Sequence, residues 1–146
     1  MIQDYGIARA LGHADVVDWV TLGYADRLLR RKRLTTDGGG SVMVDLAKVS
    51  DLKPGMALIS DHGAIGIRAA DESILEITGD IARLAWHIGN RHTPCEIYPD
   101  RLRIAPDKVL ADMVRHLGGT VTELVAPFQP EGGAYGHGRT MGHSHD

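Results

Sequence analysis

The sequence predicts an α+β protein: a small β domain, then a β-α-β-β-α-β domain, then a flexible C-terminal tail. Three observations carry this. Up to about residue 70 short β-branched runs alternate with glycine turns, as in small all-β domains. From residue 73 onward two stretches with a 3.6-residue apolar period are interleaved with short strand-like runs. The last 16 residues hold five glycines and little apolar content, so they offer nothing to bury and read as mobile.

In the first domain, residues 15–22 (Asp-Val-Val-Asp-Trp-Val-Thr-Leu) are β-branched and aromatic and fit a strand. Residues 27–35 and 41–46 form the arms of a hairpin around Asp37-Gly38-Gly39-Gly40, where glycine supplies the positive φ of a tight turn. In the second arm Val42, Val44 and Leu46 alternate onto one face. After a turn at 51–56, residues 56–59 and 64–69 form a second hairpin around Asp61-His62-Gly63. Several short strands of this kind predict a small sandwich or barrel. The domain is placed at 1–72.

The second domain is placed at 73–130. Residues 73–78 read as a strand, and Gly79-Asp80 precede a helix in which Ile81, Leu84, Ala85 and Ile88 form one apolar stripe. Gly89 is assigned as the C′ residue that stops it. Residues 96–98 and 101–104 are short strands across Pro99-Asp100. Pro106, at or near N1, opens a second helix with Val109, Leu110, Met113, Val114 and Leu117 facing the core. Gly118-Gly119 end it and residues 120–125 form the last strand. This order is the ferredoxin-like arrangement. Residues 131–146 are the tail.

Bulk properties narrow the function. The 146 residues carry a formal net charge of −3, which gives no electrostatic reason to expect nucleic acid. One cysteine, Cys95, excludes an intramolecular disulfide and fits a reducing compartment. No basic segment followed by an apolar run opens the chain, and no stretch approaches the ~20 apolar residues of a membrane span. The reading is a soluble, cytoplasmic protein. No H-E-x-x-H and no nucleophile–base pairing stands out, so no enzymatic activity is assigned.

Eight histidines are the chemical signal, because transition metals accept imidazole nitrogen. His92 lies past a predicted helix end in a loop held by Pro94. One imidazole holds a metal weakly, but a twofold axis would bring two together. Trp86, about 150° from the centre of the apolar stripe at ~100° per residue, is a large aromatic off the core face and a candidate dimer contact. The tail adds His137, His143 and His145, and short histidine-rich tracts read as metal binding. His87 flanks the stripe and Cys95 neighbours His92; the roles of both stay open. His116 suits a helix C-terminus, and His13 and His62 are given no function. The basic run Arg27 to Arg33, on a hairpin arm, reads as a solvated face or a docking patch for an acidic protein surface.

The stretch Trp86-His87-Ile88-Gly89-Asn90-Arg91-His92-Thr93-Pro94, together with Gly132-Gly133-Ala134-Tyr135-Gly136-His137-Gly138-Arg139-Thr140, resembles the UreE family of urease accessory nickel metallochaperones. The resemblance covers essentially the whole chain. It implies a peptide-binding-like β domain, a ferredoxin-like metal-binding domain, and a homodimer in which His92 from each copy meets around one Ni²⁺, a site that Zn²⁺ or Cu²⁺ can also occupy. It implies that tail histidines complete or feed that site, and that the urease accessory GTPase and the urease apoprotein complex are partners. Some relatives carry a His-x-His pair at the start of the second helix where this chain has Pro106-Asp107-Lys108, so no peripheral site is expected there. The short tail points to one or two ions per dimer. The competing reading is a non-metal docking scaffold in a maturation complex.

Overall fold

The computed structural model describes residues 2–132, and the chain divides into two compact units between Ala70 and Asp71. In the first, β1 (Asp4–Gly12), β2 (Val16–Leu22), β3 (Leu28–Thr35), β4 (Ser41–Asp51), β5 (Ala57–Ser60) and β6 (Gly63–Ala69) form one six-stranded sheet, ordered β2-β6-β5-β1-β4-β3. Both expected hairpins are present, β3–β4 and β5–β6, each antiparallel. β1 was not expected from the sequence. It lies at the centre of the sheet, parallel to β4 and antiparallel to β5. Gly6, at φ +75°, and register shifts against both neighbours break the alternation that would have marked it. A Cβ at Gly6 would lie 2.8 Å from the Asp61 carboxylate, whose Oδ2 accepts from the Ile7 N–H.

The core is built from Ala8, Val20, Val42, Val44, Leu46, Leu58, Ile65 and Ile67, all buried on one face. The sheet curls on itself rather than stacking as two layers. The β3–β4 turn, at one end of the strand order, docks on β2 at the other end. There the Asp37 N–H donates to the Trp19 carbonyl (2.7 Å) and Thr21 Oγ1 to Asp37 Oδ2 (2.8 Å). Asp18 clamps the same junction, accepting from Tyr5 Oη and the Trp19 and Gly38 N–H groups. Partial burial works against its charge, but hydrogen bonds from Thr36, Trp19, Tyr5 and Gly38 outweigh that and hold its carboxyl below the usual range. The Trp19 ring lies over Gly66, where a Cβ would come within 2.4 Å of it, and under the Arg68 guanidinium at 4.2 Å.

In the second unit β7 (Asp71–Thr78), α1 (Ile81–Asn90), β8 (Glu96–Ile97), β9 (Leu102–Ile104), α2 (Lys108–His116) and β10 (Thr120–Pro127) give a four-stranded sheet, ordered β10-β7-β9-β8, with every neighbouring pair antiparallel. This is the ferredoxin-like arrangement anticipated from the sequence. Leu75, Ile77, Leu102 and Ile104 from the sheet pack with Leu84 and Ile88 of α1 and Leu110, Ala111 and Val114 of α2. Val109, expected in that core, is 62% exposed because it flanks the stripe. Asp80 caps α1, accepting from the Arg83 N–H; Asp107 caps α2, accepting from the Leu110 N–H. Pro106 therefore precedes the cap instead of occupying N1.

Candidate metal-binding site

The two helices of the second unit end differently. In α2 the C′ residue is Gly118, at φ +89°. Its N–H donates to the Arg115 carbonyl (3.0 Å) and the Gly119 N–H to the Val114 carbonyl (2.9 Å). That is a Schellman motif with the residue type that fits it. In α1 the sequence assigned Gly89 to this place. The helix instead runs on through Gly89 to Asn90, Arg91 is the C-cap, and the C′ residue is His92 at φ +58°. The His92 N–H donates to the Gly89 carbonyl at 2.9 Å, the counterpart of the Gly118 bond. Among the described residues His92 alone, glycines aside, has positive φ. The left-handed turn places exposed His92 just past the end of a helix whose inner face is locked into the core by Leu84 and Ile88.

The far side of the loop is equally well fixed. Cys95 packs against the core, and the β8–β9 hairpin that follows is riveted on the sheet's outer face. There Arg101 and Arg103 flank the Tyr98 ring at 4.1 and 5.3 Å, Arg103 Nε donates to Glu76 Oε2 (3.0 Å), and Tyr98 Oη donates to Glu96. The Cys95 thiol is pushed up to about 11, first by burial and further by the Glu131 and Glu96 carboxylates, which outweigh a backbone hydrogen bond from Arg103. A thiol so disfavoured as thiolate is a poor metal ligand. Its chemistry here is that of a small buried group.

Trp86, six residues before His92, is 64% exposed. His87 is half-buried and meets the Trp86 ring edge-on, with centroids 5.0 Å apart. Trp86 shares its face with Ala82 and Gly89, and at Gly89 a Cβ would meet nothing. His116 ends α2, where imidazole suits the helix dipole, and His13 and His62 are exposed in the first unit. Among the described residues no three histidines, cysteines or carboxylates come together in a metal-holding group. His137, His143 and His145 lie outside the described residues.

The sequence reading missed how the chain leaves β10. β10 and β8 are opposite edges of the sheet, three inter-strand spacings or ~14 Å apart. Residues 128–131 carry the chain across, with Phe128 and Pro130 buried. The Gln129 N–H donates to Glu96 Oε1 (3.4 Å) and the Glu131 N–H to the Cys95 carbonyl (2.9 Å). The start of the tail is thereby fixed three residues from His92. No side-chain pattern announces a bond made between two backbone groups.

The class of protein is a two-domain α+β protein, a six-stranded β domain followed by a ferredoxin-like domain. Two family models match, the UreE urease accessory protein N-terminal domain over residues 7–70 and its C-terminal domain over residues 72–146. The chain is 54% identical over 140 residues to the urease accessory protein UreE of Ruegeria pomeroyi, covering 94% of each chain. It is 54% identical over 127 residues to that of Cereibacter sphaeroides, covering 86% of this chain and 70% of the relative. With that of Paracoccus denitrificans it shares 57% over 122 residues, covering 83% and 79%. The chain belongs to the UreE urease accessory protein family.

Proposed function

We propose that two copies of this chain hold one Ni²⁺ between their His92 imidazoles, that His137, His143 or His145 completes or exchanges with that site, and that the ion is then surrendered for urease assembly. Membership of the UreE family makes the chain a nickel metallochaperone of urease maturation. The observation that carries the residue-level reading is the left-handed conformation of His92. A helix end that glycine would satisfy more cheaply has kept an imidazole, and unfavourable backbone geometry of this kind clusters where a side chain is needed for function. Exposed Trp86, on the helix that ends in the His92 loop, supplies apolar surface for the second copy.

The donor set suits the cargo. Imidazole binds Ni²⁺, Zn²⁺ and Cu²⁺ alike, so the latter two compete for the same ligands. Protons compete as well, because ligating imidazoles must be neutral, and nickel is released as pH falls. The tail can reach the site. His137 follows the anchored Glu131 by six residues, a covalent span of up to ~20 Å at ~3.4 Å per residue. The ion passes between this chain and the urease accessory GTPase, and through it to the urease apoprotein. No helix among the described residues is long and apolar enough to cross a membrane, and we place the exchange in the cytoplasm.

Nickel titration calorimetry on the full chain and on His92→Ala tests this. The full chain should bind one ion tightly per two copies, and His92→Ala should lose that step. An unchanged titration in the variant would sink the assignment. A chain truncated after Gly136 should keep the His92 step with weaker affinity or fewer ions.

A further inference from the structure

We infer that the β3 edge of the first unit is a docking site for an extended acidic segment of another protein, one that carries an apolar residue between its carboxylates. β3 is the last strand of its sheet, so one side of its backbone has no strand beside it. Arg30, Arg31, Lys32 and Arg33 follow one another along this edge and all are exposed. Arg31 and Arg33 stand opposite Asp45 and Met43 of β4, while Lys32 shares the face of buried Leu34 and stands opposite Val44. Cations therefore project on both sides of the edge.

The ladder opens at the start of this run. Leu29 pairs with Ser50 and Arg31 with Asp45, so Arg30 alone faces residues 46–49. Within that bulge Leu46 stays buried while Ala47, Lys48 and Val49 are exposed, Val49 to 53%. Bulges re-aim side chains, and this one sets a fifth cation and an exposed apolar side chain beside the basic run. None of the five cations makes an ion pair among the described residues. A single inward-pointing lysine is enough to blunt an edge against aggregation. Five cations without an ion pair along one edge, with an exposed valine in the bulge at one end of the run, go beyond that need.

Charge complementarity selects an acidic occupant. An edge strand offers backbone donors and acceptors that an extended polypeptide matches, with alternate side chains reading the two faces. Val49 matches an apolar side chain and has no counterpart on a phosphate backbone. The net charge of −3 and pI near 6.2 also disfavour a polyanion of nucleic-acid type. The surface lies wholly within the first unit and does not depend on the metal-site reading.

The test is fluorescence anisotropy on the full chain with a labelled octapeptide of alternating glutamate and valine, alongside an octaglutamate, an oligothymidylate and phosphatidylserine vesicles. The alternating peptide should bind saturably at one per chain and more tightly than octaglutamate. Affinity should fall at least tenfold in Arg31→Glu/Arg33→Glu, severalfold in Val49→Ser, and not at all in Arg115→Gln. Circular dichroism and an unchanged nickel titration check that the variants are folded. If the charge reversal misfolds, Arg31→Gln/Arg33→Gln replaces it, with at least a threefold loss expected. Absent saturable binding, equal affinity in the variants, or oligothymidylate or vesicles binding as tightly as the peptide would each overturn the inference.

Discussion

Replacing His92 by glycine should leave the metal-free protein more stable than replacing it by alanine, while both changes remove the tight nickel site. Both substitutions delete the imidazole and whatever it contacts, so their difference reports the backbone alone. At φ +58° an alanine Cβ crowds the neighbouring carbonyl, at roughly 1–2 kcal/mol for an L-residue in the left-handed region. Glycine lacks that penalty but loses more chain entropy on folding, which returns part of the gain. The net advantage of glycine over alanine is about 1 kcal/mol. For a unit of this size, residues 71–146, that is a difference in Tm of about 4–8 °C. Thermal unfolding followed by circular dichroism in excess chelator reads it, and nickel calorimetry on the same samples reads the ion. A glycine variant melting at or below the alanine variant would refute the backbone argument. Tight nickel binding surviving in either would refute the ligand assignment.

Two further predictions are local. Gly66→Ala puts a methyl within 2.4 Å of the Trp19 ring, so it should destabilise the protein by about 1–3 kcal/mol through overpacking; a urea midpoint matching wild type would show that the ring can yield. Cys95, with its thiol near 11, should be alkylated by iodoacetamide at pH 8 about ten- to twentyfold more slowly than a free thiol. The thiolate fraction is some 200-fold smaller, and the greater nucleophilicity of a high-pKa thiolate restores part of that. The rate should climb with pH well past 9, and a plateau below pH 9 would contradict the burial effect.

Periodic features were legible in the sequence because burial repeats with the element. The α1 stripe and the Val42, Val44, Leu46 alternation both proved to face a core. Where geometry departs from a repeat, legibility fails. β1 carries Gly6 and two register shifts, so its buried residues, Tyr5 and Ala8, fall on no simple period. Val109 sits one position from Leu110, at the margin of the stripe, and residue type alone could not separate inside from edge. Gly89 drew the helix end to itself because glycine is the usual C′ residue, whereas the torsion that ends α1 falls on His92. Histidine does visit that region more than most residues, and that was the one sequence signal for it. His92 itself was named in advance from its chemistry, but the return of residues 128–131 to Cys95 was not. That path is fixed by backbone hydrogen bonding and by burial of Phe128 and Pro130, and neither spells out a destination.

A carrier has to hold its ion and also give it up, and the second unit is built in a way that suits both. Three or four ligands fixed within one rigid domain would bind a transition metal strongly and exchange it slowly. Among the described residues no such group forms, and Cys95, the soft donor nearest His92, is kept as a thiol by burial. One imidazole on a firmly supported loop is by itself a weak ligand. In the proposed dimer its affinity rises because the second imidazole is supplied at the effective concentration of an intramolecular partner. Each tail, anchored by the Glu131 to Cys95 bond, would add a donor on a tether long enough to arrive and depart. On the proposed reading the His92 loop would determine where the ion sits, and the tail donors would set how readily another protein can take it. In the proposed site the left-handed turn at His92 joins these roles, since it sets the imidazole on the loop just past the helix end.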